Sequence, residues 1–263
     1  MTGFETLTDA PFLFWTMAAL SVLMLSVAKS GFGGALATTS VPIMLFVLPP
    51  KLALAALLPI FLITDIGVLF IWYKFCNWRI VLIMCLFALL GQVVGWLLFD
   101  YFTDVMLTAL IGVVAVVTGI KYWIDVFRDA TLAVLADYVD KRIWQRAAIW
   151  CGLSGISSFI SLSGGIPAQI FLLPHRVSRQ AFVGTFSVYF MVIDLLKAPL
   201  YLQLDLFSAD SLHISAMLLP VVPVGVFLGW WLNKRMSDRI FYHISHGILL
   251  FMGLKLLVDA FAG

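Results

Sequence analysis

Long apolar runs separated by short polar joints dominate the chain. They fall at residues 11–30, 34–48, 52–73, 79–99, 104–125, 145–160, 164–174, 180–201, 210–232 and 239–261. A helix needs roughly 20 apolar residues to cross about 30 Å of hydrocarbon, and several runs reach that length. The runs are continuous rather than alternating, which argues for a helical bundle over a membrane β-barrel. Runs 34–48 and 164–174 are too short to span comfortably at about 1.5 Å per residue. Residues 11–48 and 145–174 therefore read as two hairpins, broken or re-entrant, each turning at a glycine cluster. Between the fifth and sixth runs lies the most polar stretch, RDATLAVLADYVDKR at 128–142. Its Leu132, Leu135 and Val139 recur at helical spacing, as in a short helix lying on a membrane surface.

Composition places the chain in the membrane. Of its 263 residues 63% are hydrophobic and 11% charged, against roughly 25% charged in a soluble domain. Mean hydropathy is +1.07. The fold expected is an all-α polytopic membrane protein. The net charge of +2 is dispersed over loops, which gives no footprint for nucleic acid. Cys76, Cys85 and Cys151 lie far apart without metal-ligand spacing, so neither a metal nor a cofactor is expected. The first apolar run follows Glu5 and Asp9 without a basic lead, unlike a secretory signal. Trp72, Trp78, Trp96, Trp230 and Trp231 sit near run ends, as an interfacial aromatic belt requires.

The two halves match. Residues 91–127 slid onto 225–261 give nine identities in 37 positions, among them Gly91, Gly95 and Trp96 on Gly225, Gly229 and Trp230. Upstream, Gly33-Gly34 falls on Gly164-Gly165 and Asp65 on Asp194. Loop charge then sets orientation, because Lys and Arg mark the cytoplasmic side. The loop at Lys74 and Arg79 is basic and its counterpart carries Asp205 and Asp210. The loop at Asp100 and Asp104 is acidic and its counterpart carries Lys234, Arg235 and Arg239. Opposite bias in equivalent loops predicts two inverted repeats of five segments each: 1–127, a cytoplasmic linker at 128–144, and 145–263. Both termini then face outside. Internal duplication of this kind is typical of transporters.

The polar glycine turns carry the candidate chemistry. Irregular backbone at membrane depth survives only where protein or a water-filled cavity satisfies it. Gly31, Gly33 and Gly34 permit a tight turn, and Thr38, Thr39 and Ser40 follow. The second half offers Ser161, Ser163, Gly164, Gly165 and Gln169. Helices starting after these turns would aim N–H groups and positive dipole ends at one point, a site for a small oxyanion. The competing reading is that the glycines simply allow close helix packing. Asp65 and Asp194 lie mid-run, where ionisable groups are costly and default to function. They are candidates for coupling or gating, together with Lys29 before the first turn. Lys197, three residues after Asp194, would lower that residue's cost as an ion-pair partner. Gln92, Thr185 and Ser187 either line a cavity or hydrogen-bond between helices.

The glycine turn in each half, GFGG at 31–34 and SGISSFISLSGG at 154–165, together with the duplication and the chain length, resembles the TauE/SafE sulfite exporter family. Ser161 and Ser163 stand where that family often has glycine. The resemblance covers nearly the whole chain. It implies a non-enzymatic transporter of sulfite, organosulfonates or related small sulfur-containing anions across a bacterial plasma membrane, with no cofactor. An inside-negative potential expels a monoanion with about 2.3 kcal/mol per 100 mV, which permits uniport; proton coupling through Asp65 is the alternative. Two rivals stand beside this reading. One is an anion channel. The other is an intramembrane serine hydrolase built on GLSG at 152–155, with a histidine as base.

Overall fold

The computed structural model describes residues 11–101, 103–127, 142–172, 175, 177–235, 243, 246–247, 250–251, 253–258 and 260. The surface helix expected at 128–142 lies almost wholly outside them. Ten helices make up the described order: α1 Pro11–Phe32, α2 Ser40–Leu45, α3 Pro50–Trp72, α4 Trp78–Phe99, α5 Asp104–Phe127, α6 Ile143–Ser161, α7 Gly165–Leu172, α8 Arg179–Gln203, α9 Ala209–Leu218 and α10 Val221–Arg235. A 3-10 turn, Ala35–Thr39, joins the first break to α2. No strand occurs among the described residues. Four stretches are long and apolar enough to cross a membrane: Pro11–Phe32, Pro50–Phe75, Trp78–Phe99 and Gln180–Gln203.

One expected span is broken. The apolar run 210–232 divides into α9 and α10, bent by 49°. Pro220 occupies the break; it has no N–H to give and its ring clashes with the preceding turn. Helix starts use local polar chemistry. Asn77 accepts the N–H of Ile80 at the head of α4, and Ser178 that of Ala181 at the head of α8. Ser208 and Ser211 form a reciprocal capping box on α9.

The helices pair across the two halves of the chain. α1 packs along α10, and α6 packs along α4. α3 packs against α8 at the centre. The duplicated glycines make these pairings possible. A Cβ on Gly225 would press on Ser26, and one on Gly229 on the carbonyl of Val27, both in α1. Cβ atoms on Gly91 and Gly95 would run into Gly152, Ile156 and Phe159 of α6. Small residues four apart let backbones approach where lipid supplies no hydrophobic drive between helices. An edge-to-face cluster of Phe99, Phe159 and Tyr201 then ties α4, α6 and α8 together.

The polar stretches lie inside this frame rather than in lipid. Every residue from Leu25 to Gly34 is buried, as is every residue from Ser158 to Gly165. Away from their ends, α3 and α4 expose apolar side chains such as Phe70, Leu82, Leu90 and Leu97.

Candidate functional site

Both hairpins break with the same cap. At the end of α1, Gly33 turns left-handed (φ 76°) and the N–H of Gly34 reaches back to the carbonyl of Ala28 at 3.2 Å. At the end of α6, Leu162 turns left-handed (φ 52°) and the N–H of Ser163 reaches the carbonyl of Ser157 at 3.2 Å. Each bond reaches back six residues around a left-handed residue, one residue further than the Schellman arrangement. Gly33 and Leu162 lie 129 residues apart, the same offset as Asp65 and Asp194. That offset differs by two residues from the pairing of Gly33-Gly34 with Gly164-Gly165. It also sets Lys29 opposite Ser158 and Val68 opposite Lys197.

The remaining carbonyls at the end of α1 find side-chain donors. Trp72 Nε1 donates to the carbonyl of Ser30 at 3.0 Å, and Asn233 donates to that of Gly31. The first break is thus anchored to α3 and α10.

Beside it sits a buried ionic chain. Lys29 Nζ donates to Asp65 Oδ1 at 2.7 Å and to Asp194 Oδ2 at 3.0 Å. Lys197 Nζ donates to Asp194 Oδ1 at 2.7 Å and to Ser158 Oγ at 2.9 Å. None of these four charged residues is more than 3% exposed. Two ammonium and two carboxylate groups balance, which is the condition for holding charge in a low-dielectric interior. Asp65 Oδ2 has no hydrogen-bond partner among the described residues. The Lys29 ammonium also lies over the ring of Phe61, 4.3 Å from its centroid, and 5.2 Å from that of Phe190.

Lys29, Gly33, Gly34 and Asp65 line one crevice, closed on its other sides by Val68, Phe186, Ser187 and Phe190. The crevice is collapsed, without room for a water molecule. Ser187 faces it while its hydroxyl bonds the carbonyl of Gly184.

The other sequence candidates divide. Gly31 is part of α1 and packs on the backbone of Gly229. Thr38 and Thr39 are buried in the 3-10 turn, which α7 packs against, so the two breaks touch. Ser40 Oγ bonds the carbonyl of Ala37. Ser161 and Ser163 hydroxyls turn back to the carbonyls of Ser157 and Ser161. Gly164 lies tight against Ser154 and Ser158, Gly165 opens α7, and Gln169 is half-buried on it. The free N–H expected at Gly34 is absent, since its cap bond uses it. Gln92 and Thr185 make interhelical hydrogen bonds, to the carbonyl of Ile193 and from the N–H of Asn77. Lys197 and Ser158 complete the ionic chain. The spacing of Lys197 from Asp194 announced that pair, whereas nothing in the sequence announced Ser158.

Ser154, the serine of GLSG, bonds the carbonyl of Gly164 at 2.6 Å and the hydroxyl of Tyr189 at 2.7 Å, with no histidine among its partners. No group of histidine, cysteine and carboxylate residues suited to a metal occurs among the described residues.

No curated protein and no solved structure matches the chain significantly. Residues 18–256 match the family described as Sulfite exporter TauE/SafE, and with that match over most of its length the chain belongs to this family of membrane transporters.

Proposed function

We propose that the protein is a carrier that exports sulfite or a small organosulfonate across a bacterial plasma membrane. The anion would bind between the glycine breaks, with Lys29 as its charged ligand and the Gly33-Gly34 backbone, Thr38, Thr39, Ser163 and α7 around it. The observation that carries this reading is the position of Lys29: a buried lysine at a crevice beside a helix break, in a chain whose family moves anions. At the start of α7 Pro167 has no N–H and Ala168 bonds the carbonyl of Gly164, which leaves the N–H groups of Gly165 and Ile166 without a helical acceptor to add positive potential there.

The inverted repeat belongs to the same reading. α1 on α10 and α6 on α4 are reciprocal pairings, each joining the first helix of one half to the fourth segment of the other. The shared cap at both breaks supports the same symmetry. Two halves related this way can exchange roles, so the site opens alternately to either side. The collapsed crevice favours a carrier over a channel, which needs a continuous pore. The bonds made by Ser154 favour transport over hydrolysis.

The test is flux in proteoliposomes of the full chain with sulfite, sulfoacetate, taurine and chloride. Saturable movement of a sulfur anion, poorly competed by chloride, is expected. Gly34→Leu should cut it to about a tenth or less (about 1.4 kcal/mol) while the protein still inserts. A left-handed φ of 84° rejects a side chain, and its Cβ would stand 3.0 Å from the Phe190 ring. Normal flux in that variant would remove the site from the first break.

A further inference from the structure

We infer that the carrier moves one proton with each anion, and that the proton rides on Asp65 because the bound anion takes Lys29 away from it. The inference rests on the transport reading above and deepens it.

The two aspartates are counterparts, yet they are not equally served. Asp194 has two ammonium partners, Lys29 at 3.0 Å and Lys197 at 2.7 Å. Among the described residues Asp65 has Lys29 alone, on Oδ1, and its Oδ2 has no hydrogen-bond partner. The cause is a difference between the halves. Lys197 follows Asp194 by three residues, and the position three residues after Asp65 is Val68. Valine cannot replace a lost cation.

Among the described side chains the other charges are too far out to help. On the elements packed against α3, Asp210 and His213 of α9 and Lys234 and Arg235 of α10 are exposed at the surface, as are Lys51 and Lys74 at the ends of α3 itself. On α5 Lys121 is exposed and Tyr122 half-buried, bonded to His243. On α8, Tyr189 bonds Ser154 and Tyr201 bonds the carbonyl of Phe159. The groups facing Asp65 are Lys29 and Asp194, with Lys197 behind.

The charge balance follows. Empty, the chain of two lysines and two aspartates is neutral. An anion entering the crevice meets Lys29, the cation on its wall, and the cluster gains one negative charge. Asp194 keeps Lys197. Asp65 is left as a carboxylate without a cation in an apolar interior, the costly arrangement. A proton from water on the open side, bound at Oδ2, removes that charge. The new O–H can then donate to an oxygen of the anion it accompanied. On release the anion leaves, Asp65 gives its proton to the new side, and Lys29 returns. A monoanion so carried crosses without net charge, so its own gradient and the pH difference set its direction, not the potential. A cell that produces the anion inside exports it down that gradient.

The test uses the full chain in liposomes with methanesulfonate, a small organosulfonate that stays a monoanion throughout about pH 6–8. Valinomycin and equal potassium hold the potential at zero. With the outside one pH unit more acidic, the wild-type protein should accumulate tracer inside about tenfold, and a sodium gradient should do nothing. Asp65→Asn is neutral like the protonated acid. It should retain measurable tracer exchange between equal methanesulfonate pools and lose the accumulation. Asp194→Asn should not reproduce that separation. Should Asp65→Asn fail to fold, the wild-type measurement decides alone. Saturable flux that ignores the pH difference and follows potential or sodium would overturn the coupling and leave the transport reading standing. Absence of methanesulfonate and sulfite flux altogether would overturn both.

Discussion

Replacing Lys29 by methionine tests the ionic chain most directly. Methionine keeps most of the buried stem, so packing changes little and the ammonium is what goes. Three losses follow from the geometry. Asp65 loses its one ion pair, at 2.7 Å with both side chains 2% exposed. Removing one partner of a buried pair costs about 3–5 kcal/mol. Asp194 loses a 3.0 Å contact but keeps Lys197. The cation over Phe61 disappears, which is worth about 0.5–2 kcal/mol. Lys29→Met should therefore destabilise by about 4 kcal/mol. Lys197→Met should cost less, since Asp194 keeps Lys29 and the chief orphan is the Ser158 hydroxyl, worth about 1–3 kcal/mol. A double-mutant cycle sharpens the comparison. Lys29→Met with Asp65→Leu should show coupling of about 2–3 kcal/mol, and Lys29→Met with Asp194→Leu less. The assay is reversible denaturant titration in micelles followed by tryptophan fluorescence. Trp72 is a local reporter because its indole N–H holds the carbonyl of Ser30. A cost under about 1 kcal/mol, or additivity at 29 and 65, would refute the view that Asp65 depends on Lys29.

Two further outcomes are expected. Gly155→Ala should destabilise by about 1–3 kcal/mol, because its Cβ would collide with the backbone of Ala88 and Gln92 in α4. Gly152→Ala, three residues earlier with nothing within 4 Å of the added carbon, should be neutral or stabilising by about 0.5–1 kcal/mol; equal thermal shifts would mean that α4 and α6 are not held at glycine distance. Cys76 lies in the joint between α3 and α4, where burial pushes its thiol up to about 11. Its alkylation should be slow at neutral pH and rise about tenfold per pH unit as the thiolate forms. Only a membrane-impermeant reagent on the cytoplasmic side, the side of Lys74 and Arg79, should reach it; labelling from outside would reverse the proposed orientation.

The spans were legible because hydrocarbon demands a simple property over a fixed length. Expected runs 52–73, 79–99, 104–125 and 180–201 correspond to α3, α4, α5 and α8 within a few residues. Hydropathy did not reveal the bend at Pro220, since leucine and valine continue on both sides of it. The duplicated glycines were visible as letters, but their partners were not. Gly91 and Gly229 face helices that are far away in sequence and belong to the other half. The turns at the breaks were hidden for a related reason. Each uses a left-handed residue, and glycine in one, Gly33, gives way to leucine in the other, Leu162. The Asp194–Lys197 pair could be read from helical spacing. The bonds from Lys29 to Asp65 and Asp194 span 36 and 165 residues, and no local rule reaches that far.

The glycines follow the proposed repeat and the charges depart from it, and the two observations have different physical grounds. Close approach of two backbones is a property of the frame. It must hold in both halves if they are to exchange roles, so Gly91 and Gly95 recur as Gly225 and Gly229. A coupling group is different. Were both aspartates doubly paired, an anion could take one lysine without leaving a bare carboxylate, and no proton would be needed. Were both singly paired, two carboxylates would compete for it. The chain instead places its second lysine after Asp194 and valine after Asp65, and puts Ser158 where the first half has Lys29. Ser158 accepts from Lys197 and so holds that cation on Asp194. In the proposed mechanism symmetry of packing would let the site face two sides, and asymmetry of charge would leave Asp65 as the group whose neutrality depends on what occupies the crevice.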